Sequence, residues 1–372
     1  MKNSTTKYVG LDVSKEKIAV AIADEGREPA RYWGMIPHED QAILNLLQKC
    51  GRPEELLLCY EAGPTGYPLV RFLMAHGYTC VVIAPSLTPN RPGDRVKTDR
   101  RDALRLAQLL RAGELSSVHV PTPEEEALRD LVRMREDIKE ERTRIRQRIG
   151  KMLLRHQVAP KEKLRRWTQA YRQWLGRVKW TPSSQTFVWS ELLYQLDQNE
   201  AQLKRMEAEI HREAQCGSQA PLIQALQTLR GIAETTATGI VAEVCSFERF
   251  VSAKVFMGYT GLVPREYSSG SSRHQGGITK TGNTNLRKYL VEAAWSYRYV
   301  PAVQGSLKKR QEGQNEGLCR ISWKAQQRLN GKYTRMCGQG KAKGKAVVAV
   351  ARELAGFIWA LAKEAETLKT TV

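Results

Sequence analysis

Short apolar runs alternate with amphipathic stretches over the first third of the chain. Four runs of strand length, YVGLDVS, KIAVAIA, LLLCYEA and TCVVIAP, begin at residues 8, 17, 56 and 79. Helical apolar spacing follows at 40–50 and 67–76, and a third helix is predicted to begin near Asp99 and to end at Gly113. Two strands joined by a short turn, followed by strand–helix alternation, predict a mixed α/β sheet flanked by helices over residues 1–118.

Residues 119–216 have a different pattern, which predicts two long helices. Apolar residues recur at helical spacing over 124–155 with charge on the other faces, as in a coiled coil, and a second helix over 187–214 could run back against the first. Residues 141–180 contain 13 Lys or Arg and only 2 Asp or Glu, together with three tryptophans. Those indoles could stack on bases, but the spacing of seven between Trp167 and Trp174 favours a core stripe.

Residues 217–372 predict a third, mainly helical part. A helix, a tight turn at Arg230 and Gly231, and a second helix resemble a helix–hairpin–helix, although an ordinary αα-hairpin fits equally well. A polar, glycine-rich stretch covers 265–283, and its S-S-G-S-S-R segment at 268–273 is expected to be flexible. A helix from about 285, a basic stretch over 320–345 and a last apolar helix follow.

The charge of the chain points to a polyanionic partner. Its 372 residues include 59 Lys or Arg and 39 Asp or Glu, a net charge of +20 with a pI near 9.7. The seven cysteines form no C-x-x-C pair, which argues against a zinc ribbon and indicates reduced thiols in a cytosolic protein. The most apolar stretch, 347–362, is interrupted by Arg352 and Glu353, so no membrane span and no signal peptide are expected.

Four acids are the strongest candidates for metal chemistry. Asp12 and Glu61 end apolar strands, and Asp99 and Asp102 are three residues apart at the start of a helix, on one face. Carboxylate oxygens are the ligands that hard divalent ions require, and two such ions can clamp a phosphodiester. Singly, each acid could instead be a turn residue or a helix N-terminal charge.

These acids lie within motifs that resemble the DEDD signature of insertion-sequence 110 family transposases. The motifs are G-L-D-V-S-K at 10–15, Y-E-A-G-P-T-G at 60–66 and K-T-D-R-R-D-A at 97–103. Further matches to the second transposase domain of that family are L-R-G-I at 229–232, G-L-V-P-R-E-Y-S-S-G at 261–270 and G-G-I-T-K-T-G-N at 276–283. S-W-K-A-Q at 322–326 and V-V-A-V-A-R-E-L-A-G at 347–356 resemble the tail of its 1111 subgroup.

The resemblance implies a RuvC-like N-terminal domain of ribonuclease-H fold and a DNA recombinase of the bacterial cytosol. It implies guidance by a structured bridge RNA that pairs with donor and target double-stranded DNA. It further implies that the four acids hold Mg²⁺, two ions per site, and that a serine attacks the DNA backbone. Joining two duplexes at several cut positions indicates a dimer or tetramer.

The candidate nucleophile lies in the S-S-G-S-S-R stretch. Ser269, which precedes Gly270, matches the family pattern best, and Ser268 is the alternative. A serine hydroxyl needs a base or a metal to become a good nucleophile. Serine–glycine clusters are also common linkers, and His274 nearby could be a general acid or an ordinary polar residue.

Several cationic or turn residues are candidates for holding phosphates. They are Arg165, Arg166, Arg230, Gly231, Arg265, Arg273, Lys280, Lys324 and Arg328. Two other interpretations remain open: a RuvC-type junction nuclease in which water attacks the DNA, and a non-catalytic nucleic-acid-binding scaffold.

Overall fold

The computed structural model describes residues 6–89, 98–269 and 272–370, and these divide into two compact units. Unit 1 covers residues 1–120 and unit 2 covers residues 121–372. A further boundary near residue 216, within unit 2, stays a prediction.

Unit 1 is built on a five-stranded mixed sheet, as predicted. Its strands are β1 (Lys7–Val13), β2 (Lys17–Asp24), β3 (Arg31–Pro37), β4 (Leu56–Glu61) and β5 (Thr79–Ile83), and its helices are α1 (Asp40–Cys50), α2 (Pro68–Ala75) and α3 (Asp99–Ala112). The strand order is β3-β2-β1-β4-β5. β1 is antiparallel to β2 and parallel to β4, and β4 is parallel to β5.

The two faces of this sheet are covered differently. One face packs Leu11, Leu58 and Tyr60 against apolar side chains of α1 and α2. The other is lined by small residues that meet α3, where Ala103 and Ala107 are fully buried. Small side chains on both surfaces let the helix approach the strands closely.

Gly10 of β1 lies directly against the backbone of α3. A Cβ added there would lie 2.5 Å from the Ala103 carbonyl oxygen and 2.5 Å from the Ala107 nitrogen. Both atoms belong to the helix backbone, so α3 itself would have to move to admit a side chain. The glycine of the G-L-D motif therefore sets the distance between the helix and the strand.

We expect Gly10→Ala to lower the free energy of unfolding by about 1–3 kcal/mol, the usual cost of overpacking. Urea unfolding followed by circular dichroism measures it. The matched control is Gly150→Ala in the long helix over residues 123–155, where an added Cβ meets nothing within 4 Å. That change should stabilise by about 0.5–1 kcal/mol. Equal shifts of the two variants would contradict the tight contact at Gly10.

Unit 2 is almost entirely helical, with one two-stranded hairpin. Its helices are α4 (Pro123–Arg155), α5 (Gln169–Arg177), α6 (Ser183–Cys216), α7 (Ala220–Leu226), α8 (Glu234–Val244), α9 (Ala253–Tyr259), α10 (Thr284–Ala294), α11 (Gly305–Gln311), α12 (Glu316–Gly338) and α13 (Lys343–Thr370), and its strands are β6 (Pro264–Ser269) and β7 (Ser272–Ile278). None of the helices in the described ranges is long and apolar enough to cross a membrane.

The predicted return helix is confirmed, because α6 packs antiparallel along α4. Arg135 binds Glu207 at 2.7 Å, and Arg146 binds Glu200 at 2.9 Å. Near the far end of the pair, Trp167 and Trp174 pack against a core of α4, α5 and α6 residues. Both indoles are half-buried against this core, in agreement with the core stripe that their spacing favoured.

The rest of unit 2 packs around α13. Val347, Leu354 and Ile358 of this helix are fully buried among side chains of α7, α8, α10 and α12. The N-terminal end of α4 also contributes Leu128 and Val132 to this core.

Several elements differ from the sequence prediction: the strand β3, the β6–β7 hairpin, and the helices α5, α9, α11 and α12, none of which was predicted. β3 was not predicted, because it is an edge strand whose residues alternate between exposed and half-buried rather than forming an apolar run. The S-S-G-S-S-R segment at 268–273 was expected to be flexible, but its described residues belong to an antiparallel hairpin in which 264–269 pair with 272–278. Its strands contain few apolar residues, so periodicity could not reveal them.

Candidate active site

Asp12 and Glu61 lie side by side at the carboxyl ends of β1 and β4. Leu11 and Tyr60 are register partners in the parallel pair, so the next residue of each strand occupies neighbouring positions. Leu11 and Tyr60 face α1 and α2, and side chains alternate along a strand. Asp12 and Glu61 therefore both face α3.

The first turn of α3 lies toward the same end of the sheet. Arg111, in the last turn of this helix, donates to the carbonyl of Asp24, which stands opposite the start of β1. The helix thus runs antiparallel to β1, and Asp99 and Asp102 in its first turn lie toward the end that carries Asp12. The structure brings the four predicted acids to one end of one sheet face.

Glu61 is held by side chains from two other elements. The Thr88 hydroxyl donates to its Oε1 at 2.9 Å, and Arg105 Nη2 of α3 lies 4.0 Å from the same oxygen. The buried Tyr60 next to it donates its hydroxyl to the Gly66 carbonyl at 3.1 Å. The Y-E-A-G-P-T-G motif therefore combines a strand-end carboxylate with an aromatic residue that anchors the following loop.

The four acids do not form a ligand cage in this arrangement. Within the described ranges, no group of three or more His, Cys, Asp or Glu side chains is close enough to hold a metal ion. The donors themselves, carboxylates on rigid elements at one sheet edge, are those that a hard divalent ion requires. The set fits Mg²⁺ in chemistry and in its placement at one end of one sheet face.

The candidate serines lie at the end of the β6–β7 hairpin. Ser269 is the last residue of β6 and pairs with Ser272, the first residue of β7. Gly270 and Ser271 between them lie outside the described residues. Ser268 and Ser269 are both exposed.

The two serines project from opposite faces of the hairpin. Ser268 shares a face with Glu266 and donates to its Oε1 at 3.0 Å. Ser269 shares the other face with Tyr267, whose side chain is 74% exposed, and Tyr267 pairs with His274. A DNA strand lying on one face would therefore meet only one of the two hydroxyls.

A buried carboxylate in unit 2 pairs with a half-exposed arginine and contacts the segment that follows β7. The Glu243 side chain of α8 is fully buried and receives two bonds from Arg133 of α4, at 3.0 and 2.9 Å. The amides of Asn283 and Asn285 also donate to it. Burial raises the pKa of this carboxyl, but these four donor contacts outweigh it and hold the pKa below its ordinary value.

The cationic candidates fall into three environments. Arg165, Arg166, Arg265, Lys280 and Lys324 are exposed. Arg230 donates to the carbonyls of Tyr299 and Val300, at 3.2 and 2.8 Å, and Arg328 pairs with Glu353 at 3.0 Å. Arg273 pairs with Ser268 in the hairpin register.

Gly231 has a structural role that is independent of any phosphate. Its φ is +82°, and an added Cβ would overlap the Ala293 carbonyl at the end of α10. Only glycine fits this turn between α7 and α8. The nucleic-acid role of Arg230 and Gly231 stays a prediction.

Several residues around these sites carried no recognisable sequence signal. Thr88 and Arg105 are brought to Glu61 only by the packing of the sheet. Asn283, by contrast, precedes a helix in an N-T-N-L run and caps α10 by accepting from the Leu286 amide at 3.0 Å. Its residue type and position could have identified it as a cap, but not as a partner of Glu243.

Comparisons with known proteins place both units among transposases. A family described as transposase, with the DEDD signature of IS110, matches residues 9–158, and the Transposase IS116/IS110/IS902 family matches residues 223–304. The chain is 41% identical over 361 residues to y4qE of Sinorhizobium fredii (strain NBRC 101917 / NGR234), a protein that carries the provisional name of transposase. That match covers 96% of this chain and 89% of the relative.

Two further relatives are transposases by name. The transposase for insertion sequence element IS1533 of Leptospira borgpetersenii is 29% identical over 340 residues, covering 88% of this chain and 95% of the relative. The transposase for insertion sequence element IS1111A of Coxiella burnetii (strain RSA 493 / Nine Mile phase I) is 26% identical over 200 residues. That match covers 53% of this chain and 54% of the relative.

Proposed function

Because the chain belongs to the IS110 family of insertion-sequence transposases, we propose that it cuts and rejoins donor and target DNA through Ser269. Mg²⁺ held by Asp12, Glu61, Asp99 and Asp102 would assist, and a structured bridge RNA would guide both DNA duplexes. The observation that carries the serine assignment is the placement of Ser269 at the exposed end of the hairpin, on the face opposite Ser268.

In the proposed reaction the Ser269 hydroxyl attacks a phosphorus atom of the DNA backbone. A bond between Oγ and phosphorus forms as one phosphorus–oxygen bond of the DNA breaks. The serine proton passes to a base, and the departing deoxyribose oxygen acquires a proton. The phosphoserine bond conserves the energy of the broken bond, so rejoining needs no ATP.

The four carboxylates are the residues that would hold the ions. When bound, Mg²⁺ would offset charge on the phosphate and on the attacking and leaving oxygens. Asp12 and Glu61 are positioned by strand ends, and Asp99 and Asp102 by the first turn of α3. Thr88 and Arg105 keep Glu61 oriented toward the α3 side of the sheet.

The excess of positive charge supports the binding of RNA as well as DNA. Arg165 and Arg166 are exposed in the segment that joins α4 to α5, and a net charge of +20 suits a large phosphate surface. We also propose self-association through α4 and α6, since Leu154 and Phe187 are 78% and 67% exposed near their joined ends. We further propose that the protein acts in the bacterial cytoplasm, where DNA and RNA are found.

The RNA-guided part of the proposal is tested by supplying the purified protein with the structured transcript of the DNA that flanks its gene. Recombination between donor and target plasmids should require that RNA and stop when it is digested. Binding should weaken steeply with salt, and changing Arg165 and Arg166 together to alanine should reduce the salt slope by about 2. Recombination at full rate without RNA would overturn RNA guidance and leave the transposase assignment intact.

A further inference from the structure

The base of the β6–β7 hairpin is a crossing of two backbone segments that leaves no room for side chains. A Cβ added at Gly261, just before β6, would overlap the Thr281 carbonyl, and one added at Gly282, after β7, would overlap the Tyr259 carbonyl. Both glycines have positive φ, +67° and +81°. The two legs of the hairpin therefore touch through their backbones.

Several backbone carbonyl oxygens lie close together at this crossing. Two cross-leg bonds use amides of the second leg, from Thr279 to the Val263 carbonyl at 2.9 Å and from Lys280 to the Gly261 carbonyl at 3.0 Å. The carbonyls of Thr260, Thr281 and Gly282 remain as acceptors for a side-chain donor.

Arg287, in the first turn of α10, supplies that donor. Its Nη1 donates to the Thr281 carbonyl at 3.0 Å and to the Gly282 carbonyl at 3.2 Å, with a longer contact of 3.5 Å to Thr260. Its Nη2 donates to the Thr284 hydroxyl at 3.0 Å. One guanidinium thus joins both legs of the hairpin to the N-terminus of the helix.

We infer that Arg287 is a positioning residue, which fixes the direction of the hairpin and thereby the place of Ser269. The inference rests on the proposed function, since it assigns Arg287 a part in the serine reaction. A planar fork of five N–H donors can bridge carbonyls from two segments at once. A lysine carries its charge on a single ammonium group, so it would bridge the carbonyls of the two legs less well than the guanidinium does.

The test compares Arg287→Ala and Arg287→Lys in the full-length protein loaded with RNA and DNA. Arg287→Ala should reduce the rate of strand cleavage by roughly 100-fold, the effect of a misplaced reacting group, while the dissociation constant for nucleic acid is unchanged. Arg287→Lys should recover part of the lost rate. Cleavage by Arg287→Ala at the wild-type rate would overturn the inference.

A second readout does not depend on the reaction. Hydrogen exchange measured by mass spectrometry should show faster exchange of the Thr279 and Lys280 amides in Arg287→Ala, because their cross-leg bonds lose support. The matched control is Arg52→Ala, which removes an exposed arginine that binds only Glu55 among the contacts described for it in unit 1. It should leave both amides and the cleavage rate unchanged. Unchanged exchange in Arg287→Ala would also overturn the inference, and if that variant fails to fold, Arg287→Lys provides both measurements.

Ser269→Ala, assayed together with the Arg287 variants, distinguishes a failure of the proposed serine reaction from a failure of the positioning role of Arg287. If it still cleaves, the proposed serine reaction is wrong and Arg287 cannot be its positioning residue, whatever the exchange rates show. If it does not cleave while Arg287→Ala cleaves normally, only the positioning role fails.

Discussion

Ser269→Ala is expected to abolish both strand cleavage and the covalent protein–DNA adduct, with a loss of rate of roughly 10⁴-fold or more, as when a nucleophile is removed. The physical reason is that Ser268, the neighbouring serine of β6, lies on the opposite face of the hairpin and cannot take the place of Ser269. The measurement is denaturing gel electrophoresis of labelled DNA after incubation with protein, RNA and Mg²⁺.

Ser268→Ala is the matched control, because it removes the neighbouring hydroxyl from the opposite face. The change removes the hydrogen bond from Ser268 to Glu266, and the variant should retain strand cleavage and adduct formation at least in part. A free DNA end without attached protein, formed equally by Ser269→Ala, would favour a junction nuclease in which water attacks. The reverse pattern, with Ser268→Ala inactive and Ser269→Ala active, would transfer the nucleophile to Ser268.

The second large effect is expected at the carboxylates. Asp12→Asn, Glu61→Gln, Asp99→Asn and Asp102→Asn should each reduce Mg²⁺-dependent cleavage by about 10²–10³-fold, comparable to the loss of one group that stabilises charge in a transition state. The fold and the affinity for nucleic acid should be largely unchanged. Binding of Mn²⁺, measured by electron paramagnetic resonance, gives a readout that is independent of cleavage.

Asp40→Asn is the control for these variants. Asp40 is an exposed acid in the first turn of α1, so it shares the helix-terminal position of Asp99 and Asp102 but belongs to a helix on the other face of the sheet. Loss of a helix N-terminal charge costs about 0.3–1 kcal/mol of stability and no catalysis. Full cleavage by any one carboxylate variant would show that this residue is not part of the metal site. Thermal unfolding of that variant would then show whether the residue contributes only to the stability of its helix.

The N-terminal sheet could be predicted well because its inner strands are continuous apolar runs. β1, β2, β4 and β5 and the helices beside them followed from periodicity, and Gly113 ends α3 in the left-handed conformation expected of a C-cap. The two long helices of unit 2 were predicted for the same reason, since their apolar positions recur every three or four residues. In these segments the local sequence pattern and the tertiary packing favour the same secondary structure.

The acids could be selected by residue type and position, but their mutual arrangement could not. Asp12 and Glu61 became neighbours through the parallel register of β1 and β4, which pairs residues about 50 apart in the chain. The link between Glu61 and Thr88 depends on the same packing. Such contacts join distant segments, and no local pattern encodes which strands lie side by side.

The sequence by itself determined the inner strands of the sheet, the two long helices, the positive charge that favours nucleic-acid binding, and the family motifs, since these depend on local spacing and residue type. Only the tertiary structure decided that the serine stretch is a paired hairpin, that its two serines face opposite ways and that Arg287 joins its legs. The reason is that polar strands have no apolar period. Their pairing is stabilised by backbone hydrogen bonds and by a guanidinium from a neighbouring helix, and both exist only once the chain has folded.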